Sequence, residues 1–315
     1  MTEEELLREL EQKLTKEYRD TEAVVRRKIA YFTKDFNKDN QLMQKKVKAG
    51  EISKKEYQKW YKDQMFTMNW SKKMAKEISK DITNANETAS KIINNDTSEV
   101  FLFGCQEAKK ELGEYFEFEV FDRKQLSKIA QDNQDLLPKS KVDIPKDRKW
   151  NENRIRSALL QSAMKGESVQ KLSKRLEVVV GMNKTSAIRN ARTMMTASHN
   201  MGKLETGYEA EKLGISVKKR WVATFDDRTR ASHRHLHGET VDIDEEFSNG
   251  LMFPADPDGD PEEVYNCRCT IRYVRGERSA GMSKEDFDKN IQRIKDIKAE
   301  NRKYNEREKK KRKNG

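Results

Sequence analysis

Histidine and cysteine, the side chains best suited to bind zinc, are concentrated in one segment of this 315-residue chain. Of four histidines and three cysteines in all, residues 221–273 contain three histidines and two cysteines. These are His233, His235, His237, Cys267 and Cys269. Structural Zn²⁺ is usually held by four nitrogen and sulfur ligands in a tetrahedron. Zinc binding is therefore one hypothesis for the chemistry of this segment.

The spacing of these residues matches no common zinc finger. Residues one apart on an extended strand point to opposite faces, so Cys267 and Cys269 can both bind one metal only if a turn intervenes. The structural alternative is that the cysteines are small buried apolar side chains and the histidines are hydrogen-bonded turn residues. Both interpretations stay open at this point.

Two catalytic interpretations use the same segment. Asp226, Asp227, His233 and His235 offer oxygen and nitrogen ligands for a divalent metal that could assist phosphodiester cleavage. A cysteine and a histidine can also act as nucleophile and base. The sequence has no recognised nuclease or protease spacing and no glycine-rich phosphate loop. We therefore expect no enzymatic activity, and a metal-dependent, nuclease-like enzyme acting on nucleic acid is the alternative.

Helices are the elements that must position this segment, because most of the chain before it has helical hydrophobic spacing. Residues 1–137 contain no proline. The spacing of Ser53 and Glu56 is that of a capping box, which predicts a helix start. A further helix is predicted to begin at Asp96 or Thr97, whose side chains are suited to an N-cap.

Two prolines and many polar residues interrupt the helical spacing before residue 150. We predict a linker over residues 138–149. Helical spacing then resumes, and Gly166 is expected to end one helix. Ser168 is expected to begin the next, and a separate, alanine-rich helix is predicted over residues 186–213.

Strands are predicted after Gly214, where the hydrophobic period changes from helical spacing to two. Val217, residues 220–223 and residues 270–274 include the β-branched and aromatic side chains that strands favour. Residues 226–229 are predicted to form a turn that caps a helix over the histidines. The module that contains the histidines and cysteines is therefore expected to be α+β.

The fold class predicted from these patterns is mainly α with a small C-terminal α+β module and an elongated helical N-terminal half. Residues 1–137 are predicted to form a helical N-terminal domain, followed by the linker. Residues 150–280 are predicted to form helices and then the α+β module. Residues 281–315 are predicted to form a last helix from Ser283 and a basic tail.

The basic tail indicates a polyanionic partner. The chain has a formal net charge of +11, and residues 301–315 contain eight Lys/Arg and two Glu, which gives +6. Such a tail favours non-specific binding to double-stranded DNA. The alternative is a solvated end that keeps the protein soluble. The candidate DNA-binding residues are Lys303, Arg307, Lys309, Lys310, Lys311, Arg312 and Lys313.

The sequence gives no signal for export or for a membrane. Its first residues lack the basic start and apolar core of a signal peptide. The longest apolar run, residues 100–103, is too short to cross a bilayer. A disulfide within Cys-x-Cys would close a strained ring, so we expect reduced thiols and a cytosolic setting.

Several motifs, in order and in spacing, resemble the phage head morphogenesis family, the minor capsid proteins of the phage Mu F type. The motif residues are Arg192, Thr193, Trp221, Asp226, Asp227, Arg228, Thr229, Arg230, His233, Gly238, Asn266, Cys267 and Cys269. One position departs from the family pattern, since Met194 stands where similar proteins usually have glutamate.

The resemblance implies a low-copy structural component of a tailed-phage head. It implies association with the portal protein during procapsid assembly in the bacterial host, with the scaffold or major capsid protein as further partners. The implied location is the virion, in the capsid interior near the portal, and ejection with the DNA is a further expectation. The motif selects His233, Cys267 and Cys269 as candidate zinc ligands, with Asp226 or His235 as the fourth.

Overall fold

The structure is a computed structural model that describes residues 3–67, 69–116, 121, 123–133, 137–165, 167, 169–276, 283–286, 288–289 and 292. Its long helices are α1 (Glu3–Phe32), α2 (Lys34–Lys48), α3 (Lys54–Thr67), α4 (Asn69–Phe116), α5 (Arg123–Asp132), α6 (Ile144–Lys165) and α7 (Val169–Lys212). They are followed by β1 (Val217–Val222), α8 (Ala231–His235), β2 (Thr240–Asp242), α9 (Pro261–Val264) and β3 (Thr270–Arg275). The predicted fold class, mainly α with a small C-terminal α+β module, is confirmed.

The chain divides into two compact units. Unit 1 contains Met1–Asn95 and Lys139–Ala191, and unit 2 contains Asp96–Pro138 and Arg192–Gly315. Both α4 and α7 contribute residues to each unit. The domain boundaries expected from the sequence, at residues 137, 149 and 280, stay a prediction. Among the described residues, no helix is both long and apolar enough to cross a membrane.

Unit 1 is built from helices that each bury one stripe of side chains. On α1, Leu10, Leu14, Tyr18 and Val25 are buried at steps of four or seven residues, as amphipathic periodicity requires. The capping box at the start of α3 is confirmed. Ser53 N donates to Glu56 Oε2 at 2.7 Å, and Glu56 N donates to Ser53 Oγ at 3.1 Å.

Three predicted helix boundaries are wrong. α4 continues through Asp96 and Thr97, because a buried Thr97 side chain packs within the helix instead of capping one. α7 is one helix and not two. Its interior Gly181 costs only about 1 kcal/mol relative to alanine, which a long packed helix tolerates.

The third wrong boundary is the start of α6, which lies at Ile144 and not at residue 150. Pro145 falls in the first turn, where its missing N–H is not needed. Asp143 Oδ1 accepts a hydrogen bond from Lys146 N at 3.1 Å and so caps this end. The linker predicted over residues 138–149 therefore contains the first turns of a helix.

Unit 2 contains a three-stranded antiparallel sheet in the order β2-β1-β3. Side-chain burial alternates along the central strand β1, with Val217, Lys219 and Trp221 buried. Burial of Lys219 lowers the pKa of its amine to about 8. Its Nζ lies 5.5 Å from the centre of the Phe247 ring. The predicted strands are confirmed, and β2 is a strand that the sequence did not indicate.

The parts of α4 and α7 within unit 2 cross at two glycines. A Cβ at Gly202 would lie 2.2 Å from Phe101 O, and a Cβ at Gly104 would lie 2.1 Å from His199 O. Real Cβ atoms do not approach a backbone oxygen so closely. Only glycine at both positions therefore allows this backbone-to-backbone contact.

A buried cation also joins α7 to α4 and to the sheet. Lys203 Nζ lies 2.9 Å from Glu111 Oε1 and donates to Ile271 O at 3.1 Å. Glu107 Oε2 lies 3.0 Å from His199 Nε2. This hydrogen bond, with the charge of Lys203, lowers the pKa of Glu107 to about 2.

Of the predicted last helix, residues 284–286, 288–289 and 292 are helical. Asp286 N donates to Ser283 Oγ at 3.1 Å, so Ser283 caps this segment. Four apolar residues recur at helical spacing in the sequence of this segment, and they lie outside the described residues: Phe287, Ile291, Ile294 and Ile297. The basic tail of residues 301–315 also lies outside them.

Candidate metal centre

His233 lies on the short helix α8, which follows a tight turn. Asp226 Oδ1 accepts hydrogen bonds from Arg228 N at 3.0 Å and from Thr229 Oγ1 at 3.1 Å. The predicted turn before the histidines is therefore present. α8 begins directly after it and carries His233 on its buried side.

Cys267 and Cys269 lie between α9 and β3, after a left-handed residue. Asn266 has φ of 58°, and Cys267 N donates to Val264 O at 3.2 Å. β3 begins only at Thr270. A turn therefore precedes the cysteines, so the alternation of a regular strand does not separate their side chains.

The three side chains converge on one point. Cys267 Sγ lies 3.6 Å and Cys269 Sγ lies 3.5 Å from the same atom, His233 Nδ1. His233 and Cys267 are 1% exposed, and Cys269 is 2% exposed. Among the described residues, these three form the group of His, Cys, Asp and Glu ligand atoms that lie within 4.8 Å of one another.

The other side of the imidazole faces a carboxylate. Glu263 Oε2 lies 2.8 Å from His233 Nε2, which is close enough for an ion pair, although the contact is not aligned as a hydrogen bond. Ser232 Oγ lies 3.1 Å from both Glu263 oxygens and donates to them. The Trp221 ring packs edge-on against His233, with 5.2 Å between ring centres. These contacts fix the ring with Nδ1 toward the sulfurs.

The two thiols influence each other's ionisation. The hydrogen bond from Cys267 to Cys269 lowers the pKa of the Cys269 thiol below its usual value, helped by His233 and by the Thr224 backbone N–H. The same hydrogen bond and burial raise the pKa of Cys267.

The structure does not bring the two candidates for a fourth ligand, Asp226 and His235, to this cluster. Asp226 forms a two-point ion pair with Arg268, with Arg268 Nη2 2.6 Å from Asp226 Oδ1. This pairing lowers the pKa of the Asp226 carboxyl well below its usual range. His235 is exposed on α8.

His237 is a hydrogen-bonded turn residue, as the non-metal interpretation of the histidines predicted. Its Nδ1 accepts from Ala223 N at 3.2 Å. Its ring packs edge-on against Phe225, with 4.6 Å between ring centres.

Other family-motif residues hold the backbone around the cluster. Thr193 Oγ1 accepts from Asn266 N at 3.1 Å and so ties the turn before the cysteines to α7. Arg230 donates to Tyr265 O in the same turn. Gly238 has φ of 88°, and its N–H donates to Trp221 O at 2.9 Å.

The remaining motif positions differ in exposure. Asp227 and Arg228 are exposed, whereas Arg192 is half-buried on α7. Met194, the position where similar proteins usually have glutamate, is also half-buried on α7.

Two residues of the site, Asn200 and Glu263, were not predicted from the sequence. Asn200 is fully buried on α7. Its Nδ2 donates to Cys269 O at 3.1 Å, and its Oδ1 accepts from Ile271 N at 2.9 Å. The only sequence signal for Asn200 is a polar residue within an alanine-rich helix, and Glu263 has none because acidic residues are common throughout the chain.

Comparison with known proteins finds a family model that covers this site. Residues 153–272 match the family model described as Phage Mu protein F like protein. The chain is 30% identical over 131 residues to minor head protein GP7 of Bacillus phage SPP1, covering 39% of this chain and 40% of that protein. No solved structure matches the chain.

Two bacterial proteins are also similar. An NAD(+)–arginine ADP-ribosyltransferase, EFV, of Enterococcus faecalis is 29% identical over 143 residues, which are 45% of this chain and 29% of that protein. Uncharacterized protein YqbB of Bacillus subtilis is 27% identical over 146 residues, which are 44% of this chain and 47% of that protein. The chain therefore spans less than half the length of the curated relatives it matches.

The segment matched by the family model begins in α6, ends in β3 and contains the whole His/Cys cluster. It also contains every residue of the motif that the sequence shares with head morphogenesis proteins. Residues 153–272 of this chain are therefore similar to the phage Mu F-like proteins and to a minor head protein of a tailed phage.

Proposed function

We propose that this chain is a minor head protein of a tailed bacteriophage that associates with the portal protein while the procapsid assembles. The observation that carries the proposal is the family match over residues 153–272, together with similarity to a protein named as a minor head protein. The scaffold and the major capsid protein are further proposed partners. The proposed location is the virion, in the capsid interior near the portal.

Exposed apolar side chains in unit 1 support binding to another protein. Val178 and Met182 lie one turn apart on α7 and are 57% and 47% exposed. With Trp150, they line an open cavity of about 980 Å³. Neighbouring exposed apolar residues are typical of interaction surfaces, whereas single ones are common on any protein. We assign the portal protein as the partner on this surface.

Co-purification with portal protein tests the assignment. We expect the full chain, expressed with portal and scaffold proteins, to co-purify with the portal. The double variant Val178→Glu, Met182→Glu is expected to lose most of this binding, because two buried carboxylates would be desolvated without partners. Leu42→Glu, at another exposed apolar position, is the matched control and should bind as the wild type does. If the double variant bound the portal as well as the wild type does, this surface would be excluded as the portal-binding site.

The basic tail is proposed to bind double-stranded DNA without sequence preference. If about five of its cations meet phosphates, log K should fall by roughly 4.5 per tenfold increase in salt. Deleting residues 301–315 should weaken binding and reduce this slope, measured by fluorescence anisotropy on a DNA duplex. A tail of the same composition in scrambled order should restore both the affinity for DNA and the salt slope, because the contacts depend on charge and not on an ordered element. If the truncated chain bound DNA with the same affinity and salt slope as the full chain, the tail would have only a solubilising role.

The absence of enzymatic activity stays a prediction. A cysteine nucleophile must be reached by its substrate, and Cys267 and Cys269 are almost fully buried. The transferase EFV shares only 29% of its length with this chain, so its name alone does not assign an activity to the shared segment. A nuclease-like enzyme acting on phage or host nucleic acid remains the alternative. Ejection with the genome is proposed as a consequence of DNA binding.

A further inference from the structure

We propose that His233 Nδ1, Cys267 Sγ and Cys269 Sγ bind one Zn²⁺ ion that fastens α8 to the start of β3. Nothing in the proposed head function requires this ion, so the inference depends only on the cluster. It also differs from the expectation from sequence, because neither Asp226 nor His235 is a ligand.

The distances fit a tetrahedral zinc ion. Bonds of about 2.3 Å to sulfur and about 2.0–2.1 Å to nitrogen at the tetrahedral angle place a sulfur and a nitrogen about 3.5–3.6 Å apart. The two observed Sγ–Nδ1 distances are 3.5 and 3.6 Å. Both sulfurs therefore already lie where a shared zinc ion would hold them.

Hydrogen bonding alone satisfies this arrangement poorly. A neutral imidazole nitrogen has one proton or one lone pair, yet two sulfurs lie at nearly equal distances from Nδ1. A metal ion between them bonds to all three atoms. Two thiolates also neutralise the charge of Zn²⁺, which makes the buried group electrically neutral.

The surroundings of His233 are those of a metal-binding histidine. Such a histidine usually presents its second ring nitrogen to a carboxylate, which fixes the tautomer and the ring orientation. Glu263 is in this position, 2.8 Å from Nε2, and is itself held by Ser232. With a metal on Nδ1, the proton resides on Nε2, where Glu263 would accept it. Glu263 is thus a positioning residue.

The fourth coordination position is assigned to water. Among the described residues, no further His, Cys, Asp or Glu ligand atom joins the group. Soft thiolate and imidazole ligands in a tetrahedron select zinc over magnesium, calcium or manganese. X-ray absorption at the zinc edge should therefore fit two sulfurs and two nitrogen or oxygen atoms.

The test is the metal content of the full chain purified without a histidine tag and then equilibrated with ZnSO₄ and dialysed. We expect about one zinc per chain, and an absorption band from thiolate to metal when Co²⁺ replaces zinc. Cys267→Ser and Cys269→Ser should each lose most of the metal. Cys105→Ser is the matched control, because Cys105 is equally buried but hydrogen-bonds to Gly202 O, and it should keep the metal.

Glu263→Gln leaves all three ligands in place and provides a second test. Replacing a carboxylate that orients a metal-bound histidine should weaken zinc affinity by about 10–100-fold, measured by competition with a chelating dye. The inference is wrong if the wild type takes up neither zinc nor cobalt, or if zinc survives both cysteine variants. It is also wrong if thiol titration of the metal-stripped, unfolded chain finds one free thiol and not three, since Cys267 and Cys269 would then form a disulfide.

Discussion

Replacing Gly202 with alanine is expected to lower the free energy of unfolding by about 3 kcal/mol or more. The new Cβ would lie 2.2 Å from Phe101 O and 3.2 Å from Cys105 N, both backbone atoms of α4. A side chain can rotate away from such a contact, but a helix backbone cannot. The two helices must therefore separate, and the core residues between them would lose contacts.

Thermal unfolding of the purified variant measures this effect, and the melting temperature should fall by roughly 6–12 °C. Gly181→Ala is the matched control on the same helix, because a Cβ there meets nothing within 4 Å. Alanine favours helix over glycine by about 1 kcal/mol, so this control should be slightly stabilised. Equal melting temperatures for Gly202→Ala and the wild type would show that the helices do not cross as described.

Replacing Asn200 with aspartate is expected to destabilise the protein by about 3–5 kcal/mol. The amide donates to Pro254 O at 3.2 Å and to Cys269 O at 3.1 Å. A carboxylate of nearly the same shape cannot donate these bonds when ionised. It would also place a charge against two carbonyl oxygens at a position with 0% exposure.

Urea unfolding at neutral pH measures this loss. Asn153→Asp, at an exposed position on α6, is the control and should change the free energy of unfolding by less than about 0.5 kcal/mol. Because protonation restores one donor to the carboxyl group, the deficit of Asn200→Asp should shrink as the pH falls. A variant as stable as the wild type would mean that Asn200 does not join α7 to the Pro254 loop and β3.

The sequence predicted those features that depend on local spacing. The capping box of Ser53 and Glu56 and the strands around Trp221 and Ile271 have the predicted places, because hydrogen bonding or alternation within a few residues determines them. The turn at Asp226 was predicted for the same reason, because hydrogen bonds within a few residues determine it. The family motif was also readable, because its residues keep their order and spacing along the chain.

Features that depend on contacts between distant segments could not be predicted in this way. Helix starts predicted at Asp96 or Thr97 and at residue 186 were misplaced because packing along α4 and α7 outweighs local preference. Glu263 lies on α9 and His233 on α8, so their contact depends on the packing of two helices that are distant in sequence. The sequence left the role of Asp226 open between metal ligand and turn residue. In the structure, its carboxylate pairs with Arg268, a residue distant in sequence.

The central claim is that this chain is a structural component of a phage head, and mass spectrometry of purified procapsids tests it most directly. Procapsids should be isolated from infected or induced cells before DNA packaging, and virions both before and after DNA release. The account predicts that peptides of this chain accompany the portal protein in procapsids, at fewer copies than the major capsid protein. Loss of these peptides from virions on DNA release would support ejection with the genome. Absence of the chain from both procapsids and virions would contradict the account.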